Sequence, residues 1–269
     1  MMDNVNKTMY IPLYGKAYVS HKGMLLNDPK AEEIWATEGF ALKGKSKSKW
    51  LAYYMAMRAR VFDQWLQEKM IADPSAVVLH LGCGMDSRVL RVEAAMGQNT
   101  ARCHWYDVDF PAVIAERKRY YQENDYYHMV TSDVRDPQWM QQIPVDSHAI
   151  VVLEGISMYL APEELNAVLT NLSGHFVSVK ILMDCYTIFA AKASKYKNPI
   201  NDVGVTQVYG LDDPIVLEDS TGLRYVGELE MTPEIMVNEL VGMERTIFRK
   251  VYGGEIARKM YRIYEYEGV

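Results

Sequence analysis

Apolar positions change their period near residue 75. Upstream, Leu51, Met55, Phe62 and Trp65 fall on one helical face, which predicts a helix over Trp50–Met70 that stops at Asp73-Pro74. Downstream, short apolar runs alternate with helical stripes. Ala76–Leu81 reads as a buried strand ending in glycine. Met85, Val89, Val92 and Met96 then stripe a helix closed by Gly97. Further strands are predicted over Arg102–Asp109, Tyr126–Thr131, Ser147–Leu153 and Phe176–Tyr186. Helices open at Phe110-Pro111 and at Pro162-Glu-Glu164.

This alternation predicts an α/β fold with a doubly wound, mostly parallel sheet. The strands lack polar alternation, as strands covered on both faces do. Leu223–Leu229 and Met260–Tyr266 read as late strands. The expected organisation is one domain. Residues 1–72 form a helical N-terminal cover and 73–186 the core. Residues 187–221 form a helical cap insertion, and 222–269 supply C-terminal strands and a helix. Both 1–72 and 187–221 are expected to close over the site.

Ligands of such sheets bind at the carboxyl ends of the strands. Four motifs stand there: Gly82-Cys-Gly-Met-Asp-Ser87, Asp107-Val-Asp109, Asp133-Val-Arg-Asp136 and Glu154-Gly-Ile-Ser-Met-Tyr159. Gly82 and Gly84 suit either close approach of a ligand or a tight strand-to-helix turn. Ser87 occupies the third glycine position of a dinucleotide fingerprint. Asp109 suits ribose hydroxyls, or the N-cap of the helix at Pro111. Asp86, Asp109, Asp133 and Glu154 crowd this edge and would repel a pyrophosphate. They favour a ligand with a ribose, an amine and a positive centre, as in S-adenosylmethionine. The carboxylate of that ligand needs a cation. Arg58 lies on the covered face of its helix and is the candidate, the alternative being a structural pair with a protein carboxylate. Arg60 falls on a more polar face.

Composition narrows the classes further. Lys+Arg is 29 against Asp+Glu 35, a net charge of −6, without the basic clustering that nucleic acid requires. The basic stretch Lys43–Lys49 reads as a solvated loop. Cys83, Cys103 and Cys185 have no metal spacing and cannot all pair, which fits a reducing, cytoplasmic setting. Met1–Pro12 has no apolar core of a signal peptide, and Lys180 and Asp184 break the longest apolar region, so no membrane span is expected. No metal site and no catalytic triad is expected. Cys83 is read as a packed side chain rather than a nucleophile.

Together the four motifs resemble those of the leucine carboxyl methyltransferase family, a branch of the class I S-adenosylmethionine-dependent methyltransferases. The likeness is to its bacterial members, which include polyketide O-methyltransferases. It covers about residues 50–186 well and the rest loosely, and it implies a Rossmann-like sheet. By this resemblance Gly82 and Gly84 shape the cofactor loop and Asp109 holds the ribose. Asp133 and Val134 flank the adenine, and Glu154 lies against the methionine portion. Arg58 and, more loosely, Lys16 meet the cofactor carboxylate. Arg135 and Tyr159 hold the acceptor carboxylate, the alternative for Arg135 being a brace to Asp133 or Asp136. The expected activity is O-methylation of a small molecule's carboxylate or hydroxyl. A non-catalytic cofactor-binding protein and a nucleotide-dependent oxidoreductase are the competing classes.

Overall fold

The computed structural model describes residues 6–38, 42, 44–97, 103–145, 147–194 and 207–268. The N-terminal helices are α1 (Tyr10–His21), α2 (Pro29–Glu38) and α3 (Lys49–Ala72). The core follows as β1 (Val77–Leu81), α4 (Arg88–Met96), β2 (Trp105–Asp109), α5 (Pro111–Arg117) and β3 (Tyr127–Thr131). It continues through β4 (His148–Leu153), α6 (Pro162–His175), β5 (Ser178–Tyr186) and α7 (Ile188–Ala193). The chain ends with α8 (Glu218–Thr221), β6 (Arg224–Leu229), α9 (Glu234–Val237), α10 (Gly242–Val251), α11 (Gly254–Arg258) and β7 (Tyr261–Gly268).

Seven strands form one sheet in the order β3-β2-β1-β4-β5-β7-β6. The first five are parallel, and β7 runs antiparallel to both β5 and β6. All seven predicted strands are present. Arg102, the expected start of the second strand, lies outside the described residues. The basic stretch expected as a loop holds a single 3-10 turn at Gly44–Lys47, with Lys43 outside the described residues. Among the described residues no helix is long and apolar enough to cross a membrane.

Side chains alternate between two cores. Val77, Leu79 and Leu81 join Leu165, Val168, Leu169 and Leu172 of α6 on one face. Val78 joins Ala56, Phe62 and Leu66 of α3 on the other. This second face carries the cover. In α3, thirteen of the twenty-four residues are buried, since the helix lies between the sheet and α1. The parallel register decides what meets at the ligand edge. Leu81 pairs with both Val108 and Leu153, and Leu153 pairs with Met183. One step further along, Asp109, Gly82, Glu154 and Asp184 therefore stand side by side.

Candidate functional site

Over that row of strand ends lies a cavity of about 820 Å³. Lys16, Arg58, Gly82, Gly84, Asp109, Asp133, Val134, Arg135, Glu154 and Tyr159 all line it. Gly82 and Gly84 both take positive φ, at 66° and 51°. A Cβ on Gly82 would collide with Ile156, and one on Gly84 would come 3.1 Å from the Met9 Cβ. The glycines thus serve the turn and also let the N-terminal cover close on it.

Asp109 is not a helix cap, since the N-cap position of α5 is Phe110. Its Oδ2 accepts the Gly84 N–H and its Oδ1 the Phe110 N–H, each at 2.7 Å. Burial raises its pKa against those two bonds. Each oxygen retains lone-pair capacity for another donor, which suits a vicinal diol.

The remaining charges form a buried run of ion pairs. Lys16 meets Asp86 at 2.9 Å, and Asp86 meets Arg91 at 2.8 Å. Asp63 bridges Arg91 and Arg88 at 2.7 Å each. Arg88 bonds Glu154, which lies 3.0 Å from Arg58, and Arg58 meets Asp184 at 2.7 Å. Burial opposes ionisation of Glu154, yet Arg88 and Arg58 hold it down at about 2. Asp184 goes the other way: burial pushes it up to about 6 in spite of Arg58. Its other oxygen accepts the Gly155 N–H at 2.6 Å.

Several expectations are corrected by this geometry. The helical phase of Arg58 is as predicted, and Arg60 turns instead to Glu239 and the Leu25 carbonyl. However, the Arg58 guanidinium is engaged by protein carboxylates, so the structural pairing is what the fold shows. Its Nε is buried without a hydrogen-bond partner among the described residues. The excess negative charge is also largely cancelled. Asp86 and Glu154 are neutralised by Lys16 and arginines, and Asp133 by Arg135. The charge argument against a pyrophosphate therefore loses most of its force, and Asp109 carries the ribose reading. Arg135 braces its own loop, with hydrogen bonds to Asp133 and to Glu164 rather than Asp136. Tyr159 bonds Thr8 of the cover, and burial raises its pKa. Burial likewise drives the Cys83 thiol well up, which removes it as a nucleophile.

The described part of the cover has a further contributor that was not expected. Residues 195–206 lie outside the described residues, and the rest of 187–221 gives the cavity only Ala190, Ala193 and Ser194. Leu217 joins the core on the opposite face. The wall is completed instead by Val251, Tyr252, Ile256, Ala257, Met260 and Tyr261. Sequence reasoning assigned these to C-terminal strands and a helix. The helical spacing of Met243, Ile247, Phe248, Val251 and Tyr252 was the available signal.

The strand order, the glycine turn and the acid that ends β2 define a class I methyltransferase architecture. The leucine carboxyl methyltransferase family pattern matches residues 13–173. The chain belongs to the leucine carboxyl methyltransferase family and is an S-adenosylmethionine-dependent methyltransferase. It is 28% identical to the tetracenomycin polyketide synthesis O-methyltransferase TcmP of Streptomyces glaucescens, over 86% of this chain and 84% of that protein. It is 27% identical to the S-adenosyl-L-methionine-dependent methyltransferase dpfgK of Gibberella zeae, over 83% of this chain and 81% of that one. Among solved structures it resembles magnesium protoporphyrin IX methyltransferase from Synechocystis with bound SAH. That match has a TM-score of 0.53 and 12% identity, over 90% of this chain and 94% of the other.

Proposed function

We propose that this enzyme transfers a methyl group to a carboxylate oxygen of an apolar, polyketide-like small molecule. The carrying observation is the chemistry of the acceptor half of the cavity. Tyr54, Tyr159 and Tyr261 line it, and burial raises the pKa of all three. At neutral pH they are hydrogen-bond donors, not bases. A carboxylate is already ionised there and needs orientation only, whereas a phenol near 10 needs its proton removed. The TcmP likeness supports the polyketide class.

Asp109 would hold the ribose diol, and Asp133 and Val134 would flank the adenine. The Lys16–Asp86 and Arg58–Glu154 pairs would face the two charges of the methionine end. Glu154 stays ionised and suits an ammonium, and the Arg58 Nε, without a partner among the described residues, suits a carboxylate. Bound there, S-adenosylmethionine supplies an electrophilic methyl on a sulfonium. The tyrosine hydroxyls orient the acceptor oxygen, and the two covers exclude water. Alignment of this kind contributes up to about 7–11 kcal/mol to rate in favourable cases. The buried free thiols suit a cytoplasmic setting.

The test is a labelled-methyl transfer assay on aromatic acids and on phenols lacking the carboxyl. An alkali-labile methyl ester is the expected product. An alkali-stable ether formed from the phenols, with no ester from the acids, would overturn the carboxylate reading.

A further inference from the structure

At the mouth of the acceptor half stands an aromatic pair that the methyl-transfer chemistry does not require. Trp50, in the first turn of α3, and Tyr252, just beyond α10, both line the cavity and are half-buried. Their rings stack with centroids 5.6 Å apart and planes 14° apart. One comes from the N-terminal cover and the other from the C-terminal wall, so their contact is a seam between the two. Around them, Lys49 pairs with Glu244 at 2.6 Å and lies 4.7 Å from the Trp50 ring centroid. The Tyr53 hydroxyl donates to the same Glu244 at 2.6 Å. Part-exposed bonds of this kind are weak. Beneath this pair Tyr53 and Phe248 are fully buried and meet edge-on at 6.2 Å, so parting at the seam is confined to the outer rings of Trp50 and Tyr252.

Deeper in, the wall is also aromatic. Tyr186 and Tyr261 meet edge-on at 4.6 Å, and Tyr54 meets Tyr261 edge-on at 6.2 Å. Ala190 and Ala193 add no polar groups between them. A flat unsaturated ring system stacks on such walls, whereas a saturated one of equal size gains burial alone. Carbon atoms pack best at 3.5–4.0 Å, so a ring between Trp50 and Tyr252 needs their faces about 7–8 Å apart. With centroids 5.6 Å apart, the offset stack leaves no room for a ring between its faces.

We propose that Trp50 and Tyr252 are specificity-determining residues: an aromatic gate that parts to admit the acceptor and closes against its flat face, selecting fused unsaturated rings. This rests on reading the cavity as the acceptor site, but not on which acceptor oxygen is methylated.

The test is calorimetry on the full-length protein saturated with S-adenosylhomocysteine, titrated with a naphthoic acid and with its decahydro counterpart. Wild type should bind the flat acid about tenfold more tightly, the scale of one or two aromatic contacts. Trp50→Leu and Tyr252→Leu should each reduce that ratio to about twofold or less, and Trp50→Phe should retain most of it. Cofactor affinity should be unchanged in all three, which also reports correct folding. A wild type that binds both acids equally, or leucine variants that keep the full ratio, would overturn the gate. Ester or ether formation does not enter this ratio, so its failure is distinct from failure of the carboxylate reading.

Discussion

At and behind the side of the cavity proposed for the cofactor, Asp63, Asp86, Arg88, Arg91 and Glu154 are each less than a tenth exposed and joined in one run of ion pairs. On the side proposed for the acceptor, Trp50, Tyr54, Tyr186, Tyr252 and Tyr261 meet through ring contacts, and the cations at the rim are part-exposed. On the proposed reading the two halves would bind different kinds of molecule, and they are built differently. A cofactor with fixed charges would be met by groups fixed in place, each charge already compensated. An acceptor of variable shape would be met by apolar surface and ring contacts. Buried ion pairs are poor sources of net stability, but a charge left alone among them is costly. The cofactor side should therefore tolerate substitution badly and the acceptor side well.

The sharpest break of that contrast is Arg88→Met. It leaves Asp63 and Glu154 each without one of their buried cations. Loss of about 3–5 kcal/mol is expected in chemical denaturation, as for other broken buried pairs. A loss under about 1 kcal/mol would show that the run of pairs is not under that constraint.

Acid titration comes next. Asp107, beside Arg117, and Glu154 are both held at about 2, below the ordinary carboxyl values of 3.8 and 4.5. A depressed folded pKa contributes stability that is present above the unfolded pKa and lost as pH falls through the folded one. Stability should therefore fall between about pH 4.5 and pH 2, by roughly 2–3 kcal/mol per group. Asp184 has the opposite sign. Raised to about 6, its stabilisation is present below the ordinary aspartate value of 3.8 and is lost as pH rises through 6. Denaturant midpoints for wild type and Asp184→Asn should converge below about pH 3.8, separate between about pH 3.8 and 6 and stay apart above it, the variant being the more stable there. Parallel curves would contradict the assignment.

Substitutions at the rim should be mild. Lys49→Ala should cost under about 1 kcal/mol of stability. Arg135→Ala should likewise cost under about 1 kcal/mol and leave cofactor affinity within about twofold, since its partners Asp133 and Glu164 are themselves part-exposed. A tenfold or greater loss of cofactor affinity would move Arg135 from the rim into the cofactor site.

The core of the fold was legible because strand, glycine turn and helix repeat with a period that burial on both faces enforces. The register then follows, and it brings Gly82, Asp109 and Glu154 into one row. The partners of the charges were not legible. Arg58 could be phased on its helix, but Asp184 meets it across 126 residues, and no local pattern marks a mid-strand acid as its partner. The C-terminal wall was missed for a similar reason. Tyr252 and Tyr261 are ordinary tyrosines until α10 and α11 fold back over the strand ends. The apolar pattern announces which residues are buried, not which cavity they border.

One paired measurement tests most directly the division of the cavity into a cofactor half and an acceptor half. Cofactor affinity by calorimetry and acceptor KM should be determined for Asp109→Asn and Tyr159→Phe. Asp109→Asn should weaken S-adenosylmethionine binding by at least about tenfold, because bonds to a charged acceptor contribute about 1.5–3 kcal/mol. Tyr159→Phe should leave that affinity within about twofold and raise the acceptor KM several-fold. The contradicting result is the reverse pattern, or equal losses of both quantities in both variants, which would mean that Asp109 and Tyr159 serve one undivided site.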